Sequence, residues 1–219
     1  MDDFSEDALV AFLEDNRAQT EAHTIVKKGE SILTLLRNQL SLPSMAHMEL
    51  SRVDLCGADL SYCDLCGANL ADALLIGAVL CQADLMDANF TRANLGGANF
   101  YDADISNALF EGANLAKVDF TEVNAEGANF AGADIGHGSI LMDAKLAGAD
   151  FTKAVMQGVK LKSADLTGAQ LIGADLRGAE NLTVEQLHSA HIDPTTRLPL
   201  YMKINWLNDR EYECHINED

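Results

Sequence analysis

Residues 56–90 read CGADLSYCDLCGANLADALLIGAVLCQADLMDANF, a stretch that repeats itself every five residues as A-(D/N)-L-x-x. With the apolar centre of each unit taken as position i, centres fall at Leu50, Leu55, Leu60 and every fifth residue to Ile140, then resume at Leu146 and run to Leu176. These are 26 units, 19 of them with Ala at i−2; Met48, Val53, Cys63, Val118, Val123, Gly138 and Val159 fill the rest. A period of five fits neither the 3.6 of a helix nor the 2 of an extended strand, so every unit must contain a turn.

Alternation along a short strand points i and i−2 inward and leaves i−1, i+1 and i+2 to water. The composition of each position agrees: i−1 is Asp at 10 and Asn at 7 of the 26 positions, and i+2 is Gly at 12, where a turn needs freedom in φ. Stacked coils would then pair their backbones with the coils above and below. Phe90, Phe100, Phe110, Phe120, Phe130 and Phe151 all sit at centres. Their spacing would scatter them around a three-sided coil. In a four-sided coil of about 20 residues it collects Phe90, Phe110, Phe130 and Phe151 on one side and Phe100 and Phe120 on the opposite side, a way of filling a narrow interior. The spacing alone leaves a two-sided coil open.

The stretch from Met48 to Gly178 resembles the pentapeptide repeat family, whose A(D/N)LXX motif recurs here in 26 tandem copies. The resemblance implies a right-handed quadrilateral β-helix, an all-β solenoid, with i and i−2 inward; at about 4.8 Å per coil its rod would be about 31 Å long. A non-enzymatic protein is expected, because no catalytic constellation appears among the residues. Family members include gyrase-protecting proteins linked to quinolone and peptide-antibiotic resistance, dimers joined through their C-terminal ends. This chain departs from those members in its long N-terminal extension and in having a one-residue interruption where some of them carry long loops.

Three segments are expected: a helical extension or cap at 1–47, the β-helix at 48–178, and a C-terminal cap helix and tail at 179–219. Residues 1–47 carry two apolar stripes at helical spacing, one at Ala8, Leu9, Phe12 and Leu13 and one at Ile32, Leu33, Leu35, Leu36 and Leu40, before Pro43 stops the helix. Thr183 and Gln186 form a capping box that opens a helix over Val184 to Ala190. Beyond it, Tyr201, Ile204, Trp206, Leu207 and Tyr212 make a dense apolar set. Two readings of the tail stand: a homodimer contact through Tyr201, Trp206 and Leu207, or a fold-back over the last coil. The register breaks between Ile140 and Leu146, with the extra residue read within 141–143, either as a bulge that re-aims side chains or as a tolerated insertion.

Charge bounds the partners. Lys and Arg number 15 against 34 Asp and Glu, a net charge of −19 that nucleic-acid phosphate and anionic lipid would repel. The start of the chain, MDDFSEDALVAF, has neither a basic nor an unbroken apolar segment, and no 18 uncharged apolar residues run together, so a cytoplasmic protein without membrane contact is expected. Five scattered Cys suit a reducing compartment. No catalytic residue, cofactor site or metal site is expected: Cys56, Cys66 and Cys81 point outward from different sides, Cys63 points inward, and His188 and His191 have no identifiable co-ligands.

Residues 48–143 hold 15 acids and 3 bases, whereas 144–178 hold 3 acids and 5 bases. On one side of the coil, i−1 reads Asp64, Asp84, Asp104, Asn124, Lys145, Asp165, so that three carboxylates stack. This column suits either a DNA mimic directed at a type II topoisomerase (DNA gyrase or topoisomerase IV) or a soluble repeat serving as a structural or signalling scaffold. Lys145, Lys160 and Lys162 gather near the break, either to dock an acidic partner or second copy, or to neutralise Asp150 and Asp165.

Overall fold

The computed structural model describes residues 45–208 and 211–216. The helical part expected in the N-terminal extension, with both its apolar stripes, lies outside these residues.

The repeat region is a parallel solenoid with four sides per turn. From Glu49 to Asn114 each i−1 residue bridges the i−1 residue one coil on, 20 positions later, as in Glu49 to Asn69 and Asp64 to Asp84. The two-sided alternative is thereby excluded. We number the faces 1 to 4 from those that begin at Glu49, Asp54, Asp59 and Asp64. Inward residues are sealed: the six repeat Phe are each at most 1% exposed. Phe90, Phe110, Phe130 and Phe151 stack inside face 1 with centroids 4.9–5.0 Å apart. Phe100 and Phe120 form the opposite column, 4.9 Å apart. The columns meet edge to face, Phe90 lying 6.2 Å from Phe100 at 82°, the favourable arrangement for aromatic quadrupoles.

The backbone amides of a repeat can be traced one by one. The i N–H donates down to the next coil's i−1 carbonyl (Leu65 to Asp84, 2.8 Å), and the i−1 N–H donates up to the i−2 carbonyl of the coil before (Asp84 to Cys63, 2.9 Å). The i−2 N–H closes the turn on the preceding centre (Ala68 to Leu65, 3.0 Å), and the i+2 N–H reaches the next coil's i+1 carbonyl (Gly67 to Met86, 2.7 Å). Each i+2 residue has a positive φ, as the third residue of such a turn requires; Gly77 is at 65° and Lys117 at 62°.

The i+1 N–H is left, and it accounts for the Asp and Asn at i−1. All 17 of those side chains accept, through Oδ1, the amide two residues ahead at 2.8–3.4 Å. The repeat motif therefore completes the hydrogen bonding of its own corner.

Three boundaries differ from expectation. Met45 is already an inward centre, 5% exposed, and donates to Asp64 like any other centre. The register break lies at Gly136, His137 and Gly138, not at 141–143. Leu141 (0% exposed) is the centre there, Ile140 is the outward i−1 residue and Ser139 the i−2 residue. A corner can take one more residue without disturbing the ladders, and Gly138 at φ 85° supplies the turn. Ser139 is the sole polar residue among the buried described residues. Its Oγ accepts from Val118 N at 3.2 Å and lies 3.1 Å from the Leu115 carbonyl and 2.9 Å from that of Gly136. The cap helix, α1, spans Val184–Ser189, with both halves of the Thr183–Gln186 capping box formed.

The tail, for which no strand is expected, forms an antiparallel hairpin of β1 (Met202–Trp206) and β2 (Tyr212–Ile216). It folds back on the cap: the Tyr201 hydroxyl accepts from Leu182 N at 3.1 Å, and the Tyr212 hydroxyl donates to the Leu187 carbonyl at 3.0 Å.

Candidate acidic and basic interaction faces

Face 4 carries the column Asp64, Asp84, Asp104, Asn124, Lys145, Asp165, and the structure bridges each to the next. The 20-residue coil also fixes what borders it. The corner between faces 3 and 4 holds Asp102, Glu122 and Asp143; the corner between faces 4 and 1 holds Asp87 and Glu126. The bases of the same half, Arg52, Arg92 and Lys117, all lie on the corners flanking face 2, and Arg92 is held there in a two-point pair with Asp72 at 2.8 and 2.9 Å. Eight carboxylates thus surround one face with, among the described residues, no cation beside them before Lys145. The Cys66 thiol on this border registers their field: burial first, then Asp84, Asp64, Asp87 and Asp104, push its pKa up. Reading the repeat at period five finds the Asp64 column; the flanking acids emerge only when i+1 and i+2 are read at period 20.

Asp104 shows how such a carboxylate is accommodated. Partial burial pushes its pKa upward, but the Ser106 hydroxyl (2.6 Å) and amide, the Asn124 amide (3.0 Å) and Lys145 outweigh it and hold the group below the usual carboxylate value.

Lys145 stands on face 4, Lys160 on face 3 and Lys162 on the corner between them. Among the described residues, none of the three has a carboxylate within the 4.0 Å of an ion pair. The carboxylate that does recruit cations is Asp175, held far below its usual pKa chiefly by Arg177 at 2.6 Å.

Of the tail residues, Tyr201 is tied to Leu182, Trp206 lies 5.2 Å from Tyr212, and Leu207 is exposed. Cys63 is buried, which pushes its thiol up to about 12, well away from a reactive thiolate. His188 packs on Tyr212 at 5.3 Å while His191 continues the face 1 ladder. Among the described residues no three His, Cys, Asp or Glu side chains gather as metal ligands, and no helix is long and apolar enough to cross a membrane.

A four-sided solenoid with Asx-closed corners defines the class of this protein. The chain belongs to the pentapeptide repeats family, whose pattern matches in 8 copies over residues 49–136 and 139–178, interrupted at the extra residue. Its members adopt a right-handed quadrilateral β-helix, and no catalytic family is indicated. No curated protein matches the chain. Similar solved structures include HetL, a pentapeptide repeat protein involved in heterocyst differentiation regulation from the cyanobacterium Nostoc sp. strain PCC 7120: 28% identity over 67% of this chain and 71% of that one, TM-score 0.39. A trypsin-treated form of QnrB1, a plasmid-mediated fluoroquinolone resistance protein, is 19% identical over 67% and 87%, TM-score 0.42. A pentapeptide repeat protein of the Arabidopsis thaliana thylakoid lumen is 24% identical over 65% and 70%, TM-score 0.17.

Proposed function

We propose that this chain is a non-enzymatic cytoplasmic binding rod whose face 4 mimics the charge of DNA and seats in the DNA-binding groove of a type II topoisomerase, DNA gyrase or topoisomerase IV. One observation carries the reading. The corner needs only an Oδ1 acceptor at i−1, and Asn supplies it at three positions of face 1, Asn69, Asn89 and Asn129. Face 4 uses Asp at 64, 84 and 104 instead, with five more acids on its borders, so its charge exceeds what folding asks for. Asp64→Asn, Asp84→Asn and Asp104→Asn together keep every corner bond and remove three charges. The wild-type protein should compete with DNA for gyrase, less so as salt rises, and the triple variant should compete weakly. Gyrase unaffected by micromolar wild-type protein would overturn the topoisomerase reading and leave a scaffold.

The unpaired cations favour a second contact. Lys145, Lys160 and Lys162 dock an acidic partner surface or a second copy, and of Tyr201, Trp206 and Leu207 it is Leu207 that is exposed for a homodimer, since Tyr201 and Trp206 are engaged within the cap. Reversal of the three lysines to Glu should abolish docking at an unchanged melting temperature; retained docking with a lowered melting temperature would assign them to the rod alone.

A further inference from the structure

The last coil ends unevenly. In the column of corners between faces 3 and 4, each i+2 amide donates to the coil below: Tyr62 to Cys81, Gln82 to Tyr101, Asp102 to Thr121, Glu122 to Met142 and Asp143 to Lys162, all at 2.9–3.1 Å. The next donor in that column is Ser163 N–H, and the carbonyl it would meet is missing, because the chain leaves the coil at Asn181 with a positive φ of 60°. At two other corners of this coil the cap supplies a substitute: Gly168 donates to the Ser189 carbonyl at 2.7 Å and Gly173 to Asp193 Oδ1 at 3.2 Å. Ser163 N–H has no acceptor among the described residues. Neither has Gly178 N–H; Ser163 differs in lying in a groove of about 450 Å³ with Lys162, Asn181, Leu182, Thr183 and Gln186.

The groove is a donor site. Lys162 brings a cation with no ion-pair partner among the described residues. Thr183 has no donor to spare: its Oγ1 accepts from Gln186 N at 3.1 Å and its proton goes to the Glu185 carboxylate. Gln186 is spent on the fold: its Nε2 donates to the Leu161 and Ala164 carbonyls at 2.9 and 2.8 Å, fixing the floor of the groove. The Ser163 N–H and the Lys162 ammonium are thus the donors left facing one opening.

We propose that this groove binds a phosphate group, its oxygens taking the place of the missing carbonyl beneath Ser163 and lying against Lys162. The volume exceeds what a bare phosphate fills and falls in the range of small-molecule sites. The site is independent of the acidic face 4 and of any topoisomerase.

The test follows the Ser163 amide of the full chain by ¹⁵N–¹H NMR during titration with sodium phosphate and, separately, with phosphoserine, at constant ionic strength set with chloride. Saturating movement of the Ser163 cross-peak at roughly millimolar ligand is expected. Lys162→Gln should weaken it about tenfold through loss of a charge-assisted hydrogen bond, and Lys145→Gln, outside the groove, should leave it unchanged. Tighter binding of phosphoserine identifies an organic phosphate and equal binding the free anion, and both support the site. A Ser163 amide that saturates with neither probe, or equal weakening by Lys145→Gln and Lys162→Gln, would overturn it.

Discussion

Ser139 Oγ accepts the amide of Val118, a residue 21 positions earlier and one coil above it, across the point where the repeat gains a residue. The hydroxyl thereby bridges a stretch of coil that an Ala would leave open. Ser139→Ala should cost about 1 kcal/mol, the net worth of an intramolecular hydrogen bond, since Val118 N–H keeps its bond to the Leu115 carbonyl and the Gly136 carbonyl keeps that from Lys117 N–H. Combining it with deletion of Gly138 restores the five-residue period and should recover most of that loss. Urea melts of the single and combined variants decide; a neutral Ser139→Ala would show that the extra residue needs no bridge.

Phe110 lies between Phe90 and Phe130, with centroids at 4.9 and 5.0 Å and planes within 10° of parallel. Phe110→Ala should destabilise by about 3 to 5 kcal/mol, and Phe100→Ala by a similar amount on the opposite side. Losses under about 1 kcal/mol for both in a denaturant titration would contradict the close-packed interior.

A Cβ on Gly77 would meet nothing within 4 Å, so Gly77→Ala isolates the cost of its φ of 65°. The expected loss is about 1 kcal/mol. At Lys117, whose φ is 62°, Lys117→Gly should be neutral or stabilising by up to about 1 kcal/mol. Thermal melts in which both substitutions have the same sign would be inconsistent with strain at i+2.

Acid should weaken the C-terminal end of the rod. The Arg177 pairing lowers the pKa of Asp175 in the folded chain despite the opposing effect of burial. Its contribution is therefore complete above the unfolded carboxyl value of about 3.9 and is lost as pH falls toward the folded value. The melting temperature of wild type should exceed that of Asp175→Asn at pH 6, with the gap closing as pH drops below about 4. A gap independent of pH would mean that the charge of Asp175 is immaterial.

Much of this architecture is written plainly in the chain. The ten-residue spacing of the Phe residues picks out the four-sided coil, and the i−1 column of face 4 follows by counting. The position of the extra residue is not legible, since Ile140 and Leu141 are adjacent apolar residues and each completes a plausible unit. Packing decides for Leu141, because the surplus residue is best absorbed in a glycine corner while Ser139 satisfies the widened backbone. The Asp and Asn preference is visible in the sequence, but its cause is not, as it depends on which amide each coil leaves without a carbonyl. The groove beside Ser163 is equally hidden: it arises where the repeat stops and exists only relative to the coil that does not follow. The hairpin could have been read from alternating Met202, Ile204 and Trp206 against Tyr212, Cys214 and Ile216.

The place of the extra residue also governs the rotational phase of the rod. A unit of five gained or lost would turn everything downstream by a quarter revolution and carry Lys145 off the side occupied by Asp104. One residue taken up inside a corner changes the length of a single turn and leaves the phase intact, since Asn124 still bridges Lys145 at a separation of 21 in place of 20. The acidic and basic halves consequently remain in line, and indels in this chain should be tolerated according to whether they fall in a corner or complete a whole circuit.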